Sequence, residues 1–243
     1  MDINKNSYVL GFAVVVTSAV SALLAVLSAA LKPTQEAAKE FDRQKNIMLA
    51  AGLLQDGDTR PRAEIEKVFE TRFKPHVVEL QSGAMVDDKY TPATLKAVKD
   101  AAERGRYRDV YEAVDEAGKT SAWVLPVSGK GLWSILYGFL ALDASGRTVK
   151  GITFYEHGET PGLGGEVENP EWRAKWPGKT IYDDQGDLVS VKVKKGKVDP
   201  NVAAERAHYV DGLSGATITS NGVTALVKKD LTAFQPFLER IRQ

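Results

Sequence analysis

From Tyr8 to Leu31 the chain carries no charged side chain, and no other feature narrows its architecture so sharply. At about 1.5 Å of rise per residue, a helix of that length crosses a hydrocarbon core of about 30 Å. The run therefore reads as a single membrane-spanning helix. A cleaved secretory signal is the rival, because Ser28-Ala29-Ala30 loosely imitates a cleavage site. Signal hydrophobic regions are usually only about 7 to 15 residues, which disfavours it. Lys5 precedes the span and Lys32-Pro33 is expected to end it. Ser18, Ala19, Ser21, Ala22 and Ala25 are small enough to let a neighbouring helix approach closely. Charge does not fix orientation: Lys5 and the amino terminus compete with Lys32, Lys39, Arg43 and Lys45 on the far side.

Acidic and basic side chains balance at 32 each, so no net field draws the chain to nucleic acid, whose binding is dominated by phosphate charge. The absence of cysteine excludes thiolate-ligated iron–sulfur clusters, disulfides and a cysteine nucleophile. Any redox role then needs an organic cofactor. His76, His157 and His208 form no pair at metal-ligand spacing on a credible helix face, so no metal is expected on this chain alone.

Residues 1–7 form a short tail, 8–31 the span, 32–105 a helical linker and peripheral half, and 106–243 the main domain. Thr34 to Ala51 is expected as an amphipathic helix stopped by Gly52, followed by helices over about Ala63 to Phe73 and, after Thr91-Pro92, Ala93 to Arg104. Strand-like runs cover Val110 to Val114, Ser121 to Val127, Ser134 to Leu142 and Thr148 to Tyr155, the last two joined by a turn at Ser145-Gly146. Leu188 to Val193 alternates like a half-buried strand, and helices are expected near Asn221 to Lys229 and Leu231 to Ile241. The fold class is α+β, with a largely antiparallel sheet flanked by helices.

The densest chemistry lies in Asp211-Gly212-Leu213-Ser214-Gly215-Ala216-Thr217-Ile218-Thr219-Ser220. Hydroxyls and glycines leading into a helix suit an anion, because the first amides of a helix point outward and its dipole favours negative charge. The same residues equally suit ordinary N-capping by Ser214, Thr217, Thr219 or Ser220, and chemistry alone does not choose. Gly162, Gly164 and Gly165 allow the backbone to approach a flat ring, with Glu159 and Thr160 beside them; a surface loop with type II turns is the plainer reading. Trp133, Trp172 and Trp176 could flank such a ring, although a tryptophan is more often plain core.

At Ser214-Gly215-Ala216-Thr217 the chain resembles the flavinylation motif of periplasmic FMN-binding domains, and the likeness continues through Ser220-Asn221-Gly222-Val223. Gly131-Leu132-Trp133-Ser134 and the run from Tyr155 to Pro170 are similar, in the same order, to segments of the C-subunit family of the sodium-translocating NADH:quinone reductase.

The resemblance implies that residues 106–243 hold FMN, joined through its phosphate to the Thr217 hydroxyl by a flavin transferase that reads Asp211. It further implies that Ser214, Gly215, Ala216, Thr219, Glu159, Thr160, Gly162, Leu163, Gly164 and Trp133 surround the cofactor. The implied role is an electron relay, one electron at a time, between an iron–sulfur centre in a membrane pair of subunits and a second FMN subunit. NADH oxidation and quinone reduction would then lie elsewhere in the complex. The same resemblance implies a bacterial inner-membrane protein with its amino terminus in the cytoplasm and its soluble domain in the periplasm. Two other readings remain: the FMN subunit of the related ferredoxin:NAD oxidoreductase, or a tethered, non-redox assembly module.

Overall fold

The computed structural model describes residues 6–242. Most of the 1–7 tail lies outside the described residues. The chain divides into two compact units, Met1–Asp42 and Arg43–Gln243. The first consists of the leading part of helix α1 (Asn6–Ala51), whose most apolar 18-residue window has a mean hydropathy of 2.4 and no buried residue. Among the described residues, α1 is the one helix long and apolar enough to cross a membrane. Its apolar run ends at Lys32, but the helix does not: it passes through Pro33, correcting the expectation of two helices. A proline inside a helix forfeits one hydrogen bond at a cost of about 3 kcal/mol, offset here by strong helix formers such as Gln35, Ala37, Ala38, Lys39 and Glu40.

The second unit begins with the last turns of α1, and Gly52 stops the helix as expected. Gly52 has φ +74°, its N–H donates to Leu49 O, and Leu53 N donates to Met48 O, the paired bonds of a Schellman ending. Helix α2 (Arg62–Arg72) runs directly into strand β1 (Phe73–Glu79). Short helices α3 (Pro92–Lys96) and α4 (Ala101–Gly105) replace the single helix expected there. Thr91 and Thr94 cap the first reciprocally, while Asp100 accepts from Ala102 N and Glu103 N and starts the second afresh.

Strands β2 (Tyr107–Val114), β3 (Thr120–Lys130), β4 (Ile135–Asp143) and β5 (Val149–Glu156) complete a five-stranded antiparallel meander in the order β1-β2-β3-β4-β5. The Asp143 carboxylate fixes the last hairpin by accepting from Ser145 Oγ, Arg147 N and Thr148 N, with Gly146 at φ +67°. Sequence reading missed β1 because Pro75 breaks its pattern; on an edge strand one face of the backbone needs no partner, so proline is tolerated.

Alternation along the strands divides the side chains between two faces. Trp123, Leu125, Val127, Leu136, Leu140, Ile152 and Phe154 join the main core with Val223, Leu226, Leu231 and Phe234 of helix α7 (Thr217–Ile241). On the opposite face, Thr153 Oγ1 donates to Asn46 O, and a Cβ on Gly151 would lie 2.5 Å from Ala50 O. Arg43 pairs with Asp109 there and lies over the Tyr111 ring at 5.2 Å.

After β5 come a 3-10 turn (Gly164–Glu168), α5 (Pro170–Arg173), β6 (Lys192–Val193), α6 (Ala203–His208) and β7 (Tyr209–Val210), with β6 and β7 pairing in parallel. The strand expected over Leu188 to Val193 shrinks to two residues, because Ser190 takes a left-handed φ of 66° that no strand can continue. The two expected C-terminal helices are one, running through Pro236. β7 delivers the chain to Asp211 and then to the start of α7.

Candidate functional site

Three segments distant in sequence meet at the start of α7. The loop Gly131–Ser134 joins β3 to β4, residues 157–165 follow β5, and residues 211–219 lead into α7. Their glycines are small for a reason. A Cβ on Gly131 would lie 2.6 Å from Glu159 Oε1, one on Gly164 2.7 Å from Glu159 Oε2, and one on Gly222 2.4 Å from Lys130 O. Gly212 is equally confined, 2.3 Å from Lys194 O at its would-be Cβ.

Glu159 sits at the junction and is 5% exposed. Its Oε1 accepts from Trp133 N at 2.9 Å and Ser134 N at 3.2 Å; its Oε2 accepts from Leu132 N at 3.1 Å and from Thr219 Oγ1 at 2.6 Å. Burial pushes the carboxyl up, but the bonds from Thr219 and the three amides outweigh it and hold the group below the usual carboxylate range. Glu159 N in turn donates to His157 Nδ1, so that histidine braces the turn.

The hydroxyls of the 211–220 segment divide by burial. Thr219 is 1% exposed and committed to Glu159; Ser220 is buried and its Oγ accepts from Leu213 N. Thr217, the first residue of α7, is exposed, as is Ser214 before the left-handed turn at Gly215. No side chain caps the first turn of α7, so its outward amides keep their capacity for an anion. Asp211 does not cap the turn at Gly212. It accepts from Val198 N at 2.7 Å and from Lys175 Nζ at 2.8 Å, while its carbonyl accepts from Trp172 Nε1 at 2.8 Å. Burial raises its carboxyl, and Lys175 with the Val198 amide overrides that and lowers it.

The tryptophans also separate. Trp172 and Trp176 are core, stacked edge-on at 5.6 Å, whereas Trp133 is 67% exposed. Leu163 and Ile218 are exposed on the neighbouring segments, and Leu163 Cδ2 would lie 2.9 Å from a Cβ on Gly215. Thr160, Pro161 and Gly162 form the turn that presents Leu163: Leu163 N donates to Thr160 O at 3.1 Å and Gly162 has φ +76°. Sequence reading did not single out Ile218 or Lys175. A large apolar side chain directly after the first residue of a helix was the available signal for Ile218; nothing local pointed to Lys175, which reaches Asp211 across 36 residues.

An uncapped helix start, an exposed hydroxyl and exposed apolar side chains thus stand on these segments, groups suited chemically to an anion and to apolar contact. Residues 131–232, which contain all three segments, match the FMN-binding domain family. Over 95% of this chain and 94% of the relative, the sequence is 45% identical to the C subunit of the Na(+)-translocating NADH-quinone reductase of Pseudomonas aeruginosa. It is 40% identical to the same subunit of Yersinia pestis, over 92% of this chain and 88% of that protein. The crystal structure of NqrC from Shewanella oneidensis superposes with a TM-score of 0.70 at 30% identity, covering 84% of this chain and 99% of that one. The C-subunit structure from Parabacteroides distasonis gives 0.69 at 28% identity, covering 86% and 96%. The chain belongs to the family of C subunits of the Na(+)-translocating NADH-quinone reductase.

Proposed function

We propose that this chain is the membrane-anchored electron carrier of its reductase complex, holding FMN as a phosphoester of Thr217 and relaying electrons between an iron–sulfur centre and a second flavin subunit. One observation carries the choice of residue. Thr219 spends its hydroxyl on Glu159 inside the domain, while Thr217 stands exposed on the uncapped first turn of α7. Ser214, also exposed, lies outside that turn.

In forming the linkage, Thr217 Oγ1 would make the new P–O bond as the anhydride P–O bond of a flavin phosphoanhydride brought by a flavin transferase breaks, and the other half of the anhydride would leave as a phosphate monoester with the hydroxyl's proton. The resulting phosphodiester keeps one negative charge, which the amides and dipole of a 25-residue helix favour. Trp133, Leu163 and Ile218 offer the ring apolar cover. Bound FMN supplies the redox chemistry; the chain holds it, orients it and excludes water from one side. The soluble unit faces the periplasm in this reading, and the span packs against helices of other subunits through its small residues.

Co-expression with a flavin transferase, followed by denaturation, tests the linkage: ultraviolet fluorescence should stay with the protein band and map to the peptide containing Thr217. A band that loses its flavin on denaturation overturns it. Protease added to intact spheroplasts should degrade the soluble unit, and complete protection would reverse the orientation.

A further inference from the structure

Three consecutive amides and a threonine hydroxyl from the opposite side converge on one carboxylate, an arrangement that a loop needs only if its position matters. Glu159 Oε1 takes Trp133 N and Ser134 N, and Oε2 takes Leu132 N and Thr219 Oγ1. An ionised carboxylate offers about four acceptor positions, so these donors saturate it and leave no capacity for a ligand. Thr219 stands two residues after Thr217 on α7, sixty residues from Glu159 in sequence. Gly131 and Gly164 make the space, since a Cβ on either would lie within 2.7 Å of the carboxylate, and one on Gly164 would also lie 2.7 Å from Thr219 Oγ1.

We infer that Glu159 is a positioning residue that sets the Trp133 loop relative to the Thr217 turn, without itself touching the flavin. The inference rests on the reading that Thr217 carries FMN beside Trp133. The peptide planes on both sides of Trp133 are fastened to the carboxylate, which fixes the direction in which its Cβ leaves the loop. Thr219 carries that fixing to the helix from which the flavin hangs. The acidic side chain is required as an anion with two oxygens. A glutamine turns an NH2 toward Leu132 N and deprives that amide of its acceptor; an aspartate is one methylene too short to reach both groups of donors.

Hydrogen–deuterium exchange on the full chain in detergent, made without the transferase, reads the first half of the inference. In Glu159→Gln the amide of Leu132, which loses its acceptor, should exchange about ten-fold faster or more, and those of Trp133 and Ser134, whose acceptor loses its charge, should exchange faster by a smaller factor. The rest of β3 and β4 should exchange as in the wild type. Unchanged exchange at these amides overturns the inference.

The flavinylated full chain reads the second half. Glu159→Gln and Thr219→Val should both lose visible circular-dichroism amplitude of the flavin, because the ring no longer meets Trp133 at one fixed angle, while Thr217 still carries it. A purely structural role would lower the melting temperature and leave that spectrum unchanged in the folded fraction, which sinks the inference. Should Glu159→Gln fail to fold, Thr219→Val decides, since it deletes one hydroxyl and keeps the branched shape. If the wild type carries no flavin on Thr217, the functional reading fails, and the exchange measurement still reports whether Glu159 fastens the loop.

Discussion

Apolar side chains stand in the open in two places, and they do so for different reasons. Along the span, Val9, Leu10, Phe12, Val20, Leu23 and Val26 are exposed all round one helix. No ionisable group interrupts the run from Val9 to Leu31, so the surface is uniform and suits a uniform solvent, lipid. Around the start of α7, Trp133, Leu163 and Ile218 are exposed singly on three converging segments, next to uncapped amides and above a buried anion. That mixture suits one flat, singly anchored molecule. Exposure alone therefore says little; the polar groups interleaved with it tell a solvent from a ligand.

The largest expected effect tests the second of these surfaces. Thr217→Val should abolish covalent flavin while leaving the domain folded, since the exposed hydroxyl supports no internal contact; Thr219→Val should keep the flavin. Mass spectrometry of tryptic peptides separates them, and an FMN-sized adduct at Thr219 in Thr217→Val would break the assignment.

Next comes the span. A charge at its middle, as in Val20→Arg, should oppose insertion by about 3 kcal/mol and shift the protein out of the membrane fraction. The same charge on the patch, Ile218→Arg, should change domain stability by no more than about 0.5 kcal/mol, because the side chain is 58% exposed. Equal effects from both substitutions would erase the distinction.

The buried anion makes only the patch sensitive to acid. The Glu159 pKa in the folded chain lies below its ordinary 4.5, so between the two values the unfolded chain binds more protons and stability rises with pH. Its contribution is complete above about pH 4.5 and is lost as pH falls through the lowered native value. Melting curves of wild type and Glu159→Gln should converge as pH drops from 6 toward 3; a constant difference would place the stabilisation elsewhere.

Trp133→Ala should act least on the fold, because the indole is mostly in solvent. Removing an aromatic neighbour that favours one flavin oxidation state by about 1 kcal/mol shifts the one-electron midpoint by about 40 mV. Spectroelectrochemical titration measures this, and an unmoved potential would remove Trp133 from the flavin's surroundings.

How much of this was legible in the chain depends on how far apart the deciding residues lie. The β4–β5 hairpin and the Gly52 stop were readable because a turn glycine or a period of two or 3.6 acts within a few residues, whereas α7 starts at Thr217, four residues before the expected Asn221, with no side-chain cap to announce it. The edge strand with Pro75 was not: proline is tolerated only where no neighbour needs its missing N–H, and only the sheet order says which strand is outermost. Pro33 likewise looked like a break and was absorbed.

The sequence by itself determined the anchor, the antiparallel α+β domain, and the three motif segments in their order. The anchor and the domain class follow from local length, spacing or composition, and the three segments from their resemblance to a known family. Only the tertiary structure decided what the hydroxyls and carboxylates of those segments do. Thr217 and Thr219 are near equivalents in sequence, two residues apart, and the turn of the helix sends one to solvent and the other against a carboxylate sixty residues away. Glu159 likewise stands in a glycine-rich run that reads as a ligand wall, yet it points inward to four donors, two glycines leaving room for it. The physical reason is that a hydrogen bond constrains both of its partners, and a sequence read along one strand of chain sees only one of them.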